Sequence, residues 1–143
     1  MPGTTEATCN LWSVYIHENL LNLPTRREGR LGPQMRRQRR QRYLDAGANF
    51  SESWNVWVAL DTYLQLQEGF GWELFSDLFP DYRRESEAGT GSAQDRIDEW
   101  ITRTSRYAER NLVPFYEAWG FPITRAVRNA LRNLPDWEEN PMR

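Results

Sequence analysis

The stretch that decides the fold is "WNVWVALDTYLQLQEGF", residues 54–70. At about 100° per residue, its large apolar side chains gather on one half of a helical wheel and its polar side chains on the other. Half a wheel of large side chains predicts a central helix that packs on more than one neighbour. The predicted inward set is Val56, Trp57, Ala59, Leu60, Tyr63, Leu64, Leu66 and Phe70. The predicted outward set is Asn55, Asp61, Thr62, Gln65 and Glu68.

Helical periodicity continues upstream of this segment. Residues 4–23, "TTEATCNLWSVYIHENLLNL", predict a helix that Pro24 stops. Its apolar face is expected to carry Leu11, Val14, Tyr15 and Leu21. Residues 33–44 are compatible with a weakly amphipathic helix, and "DAGANFSES" at 45–53 is a break. The next helix is expected to take its N-cap from the serine at position 51 or 53.

Downstream, "GWELFSDLF" at 71–79 predicts a short helix closed by Pro80. Residues 95–112 place Ile97, Trp100, Ile101, Thr104, Tyr107 and Ala108 on one stripe. Pro122 is placed as the first residue of a last helix. Because no stretch alternates like a strand, the chain is predicted to be all-α, an irregular bundle of about six helices in a single helical subdomain over residues 1–143. Loops are expected near residues 24–33 and 83–94, the second being the most mobile.

The charge of the chain is close to balanced but unevenly spread. All 18 basic residues are arginine, against 20 acidic ones. Residues 26–42 carry eight arginines and one acid, Glu28. The densest part, Arg36–Arg42, points in most directions around a helix and has no interleaved aromatic for base stacking, so nucleic acid is not the expected partner. A solvated helix, or one that docks on the acidic remainder of the chain, is favoured over binding of nucleic acid or anionic lipid.

Composition restricts the remaining function classes. No run of about 18 apolar residues is present, so no transmembrane segment is expected. The N-terminus lacks the basic and apolar regions of a signal peptide. The single Cys9 suits a reducing compartment, since it has no partner for an internal disulfide. No Ser-His-Asp, Cys-His, phosphate-loop or dinucleotide pattern occurs in the chain.

The one histidine raises the question of zinc. His17-Glu18 is the first half of H-E-x-x-H, the helical motif by which many zinc peptidases hold their metal. The motif needs a second histidine one turn later, where this chain has Leu21. One imidazole cannot supply the three protein ligands of a catalytic site. His17 is therefore interpreted as a helix-end residue with a local hydrogen-bond partner.

Four blocks of the sequence together strongly resemble the C-terminal end of the TRP channel-associated factor (TCAF) proteins. That end belongs to an enhancin-like, gluzincin-type metallopeptidase domain. The blocks are "TTEATCNLWSVYIHE" (4–18), "WNVWVALDTYLQLQEGFGWELF" (54–75), "NLVPFYEAWGFPI" (111–123) and "LPDWEENPM" (134–142). They occur in one consistent order, with the arginine-rich segment and the 83–95 loop outside them. The fold that this resemblance implies is the C-terminal helical subdomain of a gluzincin-like domain.

The resemblance implies a role for Glu6. In gluzincin domains an H-E-x-x-H helix supplies two zinc ligands and a glutamate on a following helix supplies the third, and the matching glutamate here is Glu6. The family's H-E-x-x-H lies upstream of the first block, so both histidines and the general-base glutamate are expected to be absent from this chain. Zinc is then expected only in the full parent domain, with no cofactor and no hydrolysis by this chain alone. Loss of the upstream part is expected to expose apolar surface near Leu11 and Trp12.

The resemblance also implies a function. TCAF proteins bind a cold-sensing TRP-melastatin cation channel, promote its delivery to the plasma membrane, alter its gating and influence cell migration. On this basis the expected partners are a TRP-melastatin channel and the rest of the parent domain. The expected location is cytoplasmic, peripheral at the plasma membrane through the channel. The alternative that stays open is the C-terminal subdomain of an active enhancin-like zinc metallopeptidase.

Overall fold

The computed structural model describes residues 4–84 and 91–142, and in these ranges it contains helices and no β-strand, which confirms the all-α class. A π-helical turn, Ile16–Leu20, extends the first helix, and a 3-10 turn, Gly29–Leu31, precedes the second. The chain forms two compact units that meet in sequence between residues 64 and 65, within one helix. The α-helices of the described residues are α1 Thr4–Tyr15, α2 Pro33–Asp45, α3 Val56–Phe70, α4 Glu73–Arg84, α5 Ala93–Tyr107, α6 Val113–Ala118 and α7 Arg125–Leu131.

Helix α3 is more deeply buried than its sequence pattern predicts. Every residue from 58 to 66 is buried, including the polar Asp61, Thr62 and Gln65. The prediction that these three side chains face outward is therefore wrong. Each can be buried because its polar atoms have partners: the hydroxyl of Thr62 donates to the carbonyl of Val58 at 3.0 Å, and the partners of the other two are described below.

The start of α3 also differs from the prediction. The helix begins at Val56, and its cap is Asn55 and not one of the serines at 51 and 53. The side-chain oxygen of Asn55 accepts from the backbone N–H groups of Trp57 at 3.0 Å and Val58 at 3.3 Å. Asparagine is among the best N-cap residues because its short side chain reaches these free donors.

Leu60 lies in the core as predicted, whereas Trp57 is only half-buried. We expect Leu60→Ala to lower the free energy of unfolding by about 2 to 5 kcal/mol, since it removes buried apolar atoms and leaves a cavity in the packing. Urea unfolding measures this loss. Leu20→Ala, at a leucine that is 64 % exposed, serves as the matched control and should change stability by less than about 0.5 kcal/mol. Equal midpoints for the two variants would contradict the central position of Leu60.

The second unit is built around large aromatic residues. Trp119, Tyr116 and Phe115 are fully buried. The indole N–H of Trp119 donates to the side-chain oxygen of Gln65 at 2.9 Å. The hydroxyl groups of Tyr116 and Thr104 are 2.9 Å apart and share a hydrogen bond. These bonds satisfy the polar atoms that burial removes from water, so the aromatic side chains can fill this core.

Pro80 does not close α4, contrary to the prediction. The helix continues through it to Arg84. Proline removes one intrahelical hydrogen bond, the one to the carbonyl of Ser76, and Ser76 is exposed, so water can satisfy that carbonyl. The last turn is held by contacts with α5, because the rings of Phe79 and Tyr82 lie 6.3 and 6.4 Å from that of Trp100.

The last helix starts later than predicted. α7 begins at Arg125, with Thr124 and not Pro122 at its N-terminus. The hydroxyl of Thr124 accepts from the backbone N–H of Val127 and donates to Asp98 at 2.7 Å. A threonine that caps the helix and also bonds to α5 determines where α7 starts more strongly than a proline that is merely compatible with a first turn.

The two predicted loops have different outcomes. Residues 24–32 lie outside the α-helices and contain the 3-10 turn, and Pro33 already belongs to α2. At both ends of the predicted loop 83–94 the chain is helical, because α4 extends to Arg84 and α5 begins at Ala93 with Ser92 as its cap. Residues 85–90 lie outside the described part of the chain, so the expected mobility there stays a prediction, as does the single subdomain over residues 1–143.

Candidate functional site

Glu6, the residue assigned as a zinc ligand by resemblance, is exposed in the first turn of α1. An acidic residue at this place is favoured electrostatically by the partial positive charge of the helix N-terminus. Within the described ranges, no three His, Cys, Asp or Glu side chains come together where they could hold a metal ion. The donor set of these ranges therefore does not fit a zinc site by itself, because such a site needs at least three converging protein ligands.

His17 is used locally, as the sequence interpretation states. Its Nδ1 atom lies 2.6 Å from the carbonyl oxygen of Ser13, one turn earlier. Since a carbonyl can only accept, Nδ1 carries the proton and Nε2 is the acceptor of the neutral ring. His17 lies in the π-helical turn and not in a regular α-helical turn. The interpretation of His17-Glu18 as half of a zinc motif has no support in this geometry.

Two buried tyrosines of the first unit are unsuited to proton transfer near neutral pH. Burial raises the pKa of Tyr63 to about 12, an effect that a hydrogen bond with Thr8 partly opposes. Burial also raises the pKa of Tyr43 to about 12. A general acid or base works best when its pKa lies near the operating pH. Both phenols therefore act as packing groups.

Glu18 fixes the chain that follows the π-helical turn. The guanidinium of Arg26 donates to its carboxylate through Nε at 2.9 Å and Nη2 at 2.5 Å. The hydroxyl of Thr25 donates to the same carboxylate at 2.9 Å. Burial acts to raise the pKa of Glu18, but the hydrogen bonds from Arg26 and Thr25 outweigh it, so the pKa lies below its usual value. This clamp holds residues 25–26 against the end of the first helix.

The clamp predicts a local pH dependence. Because the pKa of Glu18 is lower in the folded chain than in the unfolded chain, its stabilisation is complete above the ordinary value of 4.5 and is lost as pH falls through the lower folded value. We expect amide hydrogen exchange in residues 16–26, corrected for the intrinsic pH dependence, to be slow at pH 6 and to accelerate below pH 4.5. The variant Glu18→Gln should lose this pH dependence. Protection that is independent of pH in the unchanged chain would contradict the clamp.

The end of the first helix carries a cluster of exposed aliphatic side chains. Ile16, Leu20, Leu21 and Leu23 are 44, 64, 55 and 50 % exposed, respectively. We call these four residues the π-turn patch. The other exposed large apolar residues of the described ranges, Met35 and Tyr107, are separated from it in sequence. Single exposed leucines are ordinary on protein surfaces, but four exposed aliphatic residues within eight consecutive positions make this segment a candidate contact surface.

The backbone explains why these side chains are exposed. The N–H of Leu21 donates to the carbonyl of Ile16, five residues earlier, at 3.1 Å. The N–H of Leu23 donates to the carbonyl of His17 at 2.8 Å, and Asn22 between them takes a left-handed conformation with φ of 53°. This arrangement ends the helix with its carbonyls satisfied. The prediction that Leu21 lies on the packed face is therefore wrong.

The apolar surface that was expected to be exposed near Leu11 and Trp12 is not exposed there. Leu11 is fully buried and Trp12 is half-buried, with its ring packed edge-on against Tyr15 at 5.6 Å. The exposed apolar surface lies instead at the π-turn patch. The sequence signal that could have located it is "NLLNLP" at 19–24, where leucines continue up to an asparagine and a proline that end the helix.

A pocket of about 300 Å³ opens in the same unit. It is lined by residues of α1 and the π-helical turn, of the following loop and of α3. His17 therefore borders a concave surface that is mainly apolar, a common arrangement at binding sites. The main lining residues are Asn10, Val14, His17, Arg30, Trp57 and Leu60.

The arginine-rich helix α2 docks on the chain itself, which confirms one of the two favoured interpretations. Arg39 donates to the carboxylate of Asp61 through Nε at 2.6 Å and Nη2 at 3.0 Å, and Arg36 donates at 3.1 Å. The guanidinium groups of Arg39 and Arg30 lie 5.4 and 5.5 Å from the ring centroid of Trp57. Two arginines of the run are thereby committed to an internal carboxylate and are not available to a nucleic acid phosphate.

The second unit carries a larger groove of about 630 Å³ beside α5 and α7. Three of its charged side chains have partners within the unit. Glu99 pairs with Arg103 at 3.0 Å, and Asp98 accepts hydrogen bonds from Gln94 and Thr124. The π-turn patch holds four of the six exposed large apolar side chains of the described ranges, so together with the neighbouring pocket it is the stronger candidate contact site.

Comparisons with known proteins show a group of proteins to which the sequence of this chain is similar. The sequence profile of the family described as peptidase M60, enhancin and enhancin-like, matches residues 1–120. The chain is similar to TRPM8 channel-associated factor 3 of Mus musculus, with 48 % identity over 143 residues, and to TRPM8 channel-associated factor 2 of Homo sapiens, with 49 % identity over 142 residues. Each match covers 99 % of this chain.

The chain spans only about 15 % of the length of these curated relatives. A TRPM8 channel-associated factor homolog of Xenopus laevis is 49 % identical over 143 residues, and the chain spans 16 % of it. No solved structure matches the chain significantly. None of the helices in the described ranges has the length and apolar character needed to cross a bilayer.

Proposed function

Because the chain belongs to the peptidase M60 family of enhancin and enhancin-like proteins, and within it resembles the TRPM8 channel-associated factors, we propose that it is the C-terminal helical portion of a TCAF-like regulator. The TCAF resemblance is confirmed by about 48 % identity across almost the whole chain. The proposed portion works by protein–protein contact. It binds a TRP-melastatin cation channel and promotes delivery of the channel to the plasma membrane and its activity there, with an effect on cell migration.

The observation that carries this proposal is the π-turn patch. Aliphatic side chains that are about half exposed leave much of their apolar area in water, and covering that area with a partner is favourable. Among the described residues, Glu6 belongs to no group of three His, Cys, Asp or Glu side chains that could hold a metal ion. The proposal therefore rests on the exposed apolar side chains and not on metal chemistry. The proposed location follows from the partner: cytoplasmic, and peripheral at the membrane through the channel.

Co-precipitation tests this proposal. The tagged chain is incubated with a detergent lysate of cells that express a full-length TRP-melastatin channel, and an unrelated helical domain of similar size is the control. We expect the channel to be enriched on the chain relative to the control. Equal recovery on both proteins would contradict channel binding.

A second function is favoured by the family match itself. Glu6 is exposed, so its carboxylate is accessible to ligands from outside the described residues. In this alternative the chain is the C-terminal subdomain of an active enhancin-like zinc metallopeptidase, and Glu6 is the third ligand of a metal whose other ligands lie upstream. Zinc bound there would act as a Lewis acid on the scissile peptide bond. The contribution of this chain would be to orient one ligand.

Zinc content and glycoprotein cleavage of the full-length protein test the alternative. Glu6→Gln keeps the shape of the side chain but removes the charge that zinc requires, so we expect it to lower both zinc content and cleavage. Glu52→Gln, at another exposed glutamate of the same unit, is the matched control. Equal zinc in the unchanged protein and in Glu6→Gln would remove Glu6 from the set of ligands.

A further inference from the structure

The π-turn patch concentrates the exposed apolar surface of the described residues. Its four members fall within eight consecutive positions, 16–23, and each is at least 44 % exposed. The polar residues between them include Glu18, which is already paired with Arg26. The interior of the patch is therefore apolar without an unpaired charge, as in the core of a protein interface.

The size of the patch limits what can cover it. The exposed area of four half-exposed aliphatic side chains is roughly a few hundred Å², which lies within the range of functional patches on monomers. A stable dimer buries roughly 800 Å² on each partner. The patch alone therefore supplies less surface than a stable dimer buries on each partner. The area suits one short amphipathic helix, which buries residues at i, i+3, i+4 and i+7 against a small apolar surface.

The charge of the first unit further restricts the kind of partner that would bind the patch. The first unit has eight arginines against six acidic residues, so its net charge is about +2. Arg27, four residues after the last leucine of the patch, is exposed. A partner helix with acidic residues beside its apolar face would meet this excess of positive charge, and rim charges of this kind speed association and select partners.

We propose that the π-turn patch is the docking surface for an amphipathic helix with acidic flanks in the cytoplasmic part of the channel. The aliphatic side chains of that helix pack on Leu20, Leu21 and Leu23, and its acidic residues face Arg27. This proposal rests on the proposed function, since it names the surface through which channel binding occurs. It differs from the zinc alternative, which would use Glu6 at the other end of α1.

The test uses the 143-residue chain and a purified full-length TRP-melastatin channel in detergent, with binding measured by interferometry over a range of channel concentrations. Leu20→Asp combined with Leu21→Asp places two charges in the patch, and both positions are more than half exposed, so the core is not altered. We expect affinity to fall roughly tenfold or more, because charges are buried unpaired in the complex. Met35→Asp changes an apolar residue that is 42 % exposed on α2 and is the matched control, expected to bind as the unchanged chain does. Circular dichroism and the thermal midpoint confirm that each variant is folded.

Each outcome bears on the proposal. Loss of binding in the double variant alone supports it. Equal binding by all three chains overturns the patch as the docking surface but leaves the proposed function intact, whereas no binding by the unchanged chain overturns both. If the unchanged chain forms a dimer in sedimentation equilibrium and Leu20→Asp dissociates it, the patch binds a second copy and the proposed partner is overturned.

The variant Arg27→Glu tests the charge of the partner. It should weaken binding a few-fold at low salt, and a gain in affinity would overturn the proposal that the partner helix has acidic flanks.

Discussion

Replacing Asp61 with alanine is expected to lower the free energy of unfolding by about 3 to 5 kcal/mol. The side chain of Asp61 is 4 % exposed, and it accepts from Arg36 and Arg39, whose side chains are 16 and 18 % exposed. Its removal leaves two largely buried guanidinium groups without the carboxylate that neutralises them. The cost comes from these uncompensated charges and exceeds the net contribution of the pair itself. Urea unfolding of both chains measures the difference.

The matched control is Asp45→Ala, at an exposed aspartate of α2 that accepts only from Gln41. It should change stability by no more than about 0.5 kcal/mol. A triple variant that replaces Asp61 with leucine and both arginines with methionine should recover most of the stability lost in Asp61→Ala, since an apolar cluster of similar volume substitutes well for buried ions. Equal losses in Asp61→Ala and Asp45→Ala would show that the arginine contacts carry no stability.

The second large effect is expected at Trp119. This side chain is fully buried, and its indole N–H donates to Gln65 at 2.9 Å. Trp119→Ala should cost about 4 kcal/mol or more, because it leaves a large cavity and also removes the donor that the buried Gln65 amide accepts from. The readout is the free energy of unfolding in urea, together with loss of the near-ultraviolet circular dichroism of the aromatic core.

Trp119→Phe separates the two contributions. Phenylalanine keeps most of the apolar volume but has no N–H, so we expect a loss of about 1 to 3 kcal/mol from the unpaired amide. Trp12→Ala, at a half-buried tryptophan of the first unit, should cost clearly less than Trp119→Ala. If the phenylalanine variant were as stable as the unchanged chain, the hydrogen bond to Gln65 would contribute nothing measurable.

The helical fold is readable from the sequence because its strongest signal is periodic. The apolar half-wheel at 54–70 correctly places Leu60, Tyr63 and Leu64 inside. It fails at Asp61 and Gln65 because a wheel assigns polar residues to solvent, whereas tertiary partners can satisfy them in the core. The partners of Asp61 are Arg39 and Arg36, which lie 22 and 25 residues earlier in the chain. A pattern within one helix therefore does not reveal this pairing. The excess of arginine at 26–42 was the available hint.

Helix ends are less predictable for a related reason. Pro80 and Pro122 are local signals that favour a helix end and a helix start, and both are overridden here by tertiary contacts. The ring of Trp100 holds the turn after Pro80, and the bond between Thr124 and Asp98 sets the start of α7. A proline inside a helix, such as Pro80, costs about 3 kcal/mol, which several aromatic contacts can offset.

The candidate site was predicted only in part. The missing second histidine of the motif correctly predicts that His17 bonds locally. The assignment of Glu6 to zinc stays a prediction that rests on resemblance. Leu21 was assigned to the packed face because an α-helical period was extended to residue 23, whereas the chain changes to a π-helical turn at Ile16. Such a change has no sequence signal of its own, and it moves every later side chain to a new direction.

That turn amounts to one extra residue inserted into an otherwise regular helix. Deleting a single position within 16–20 would restore the ordinary 3.6-residue period and rotate the segment after it by about 100°. The aliphatic side chains would then point in a different direction with no change in composition. The direction in which this surface faces therefore depends on the length of this short segment as well as on the identity of its leucines.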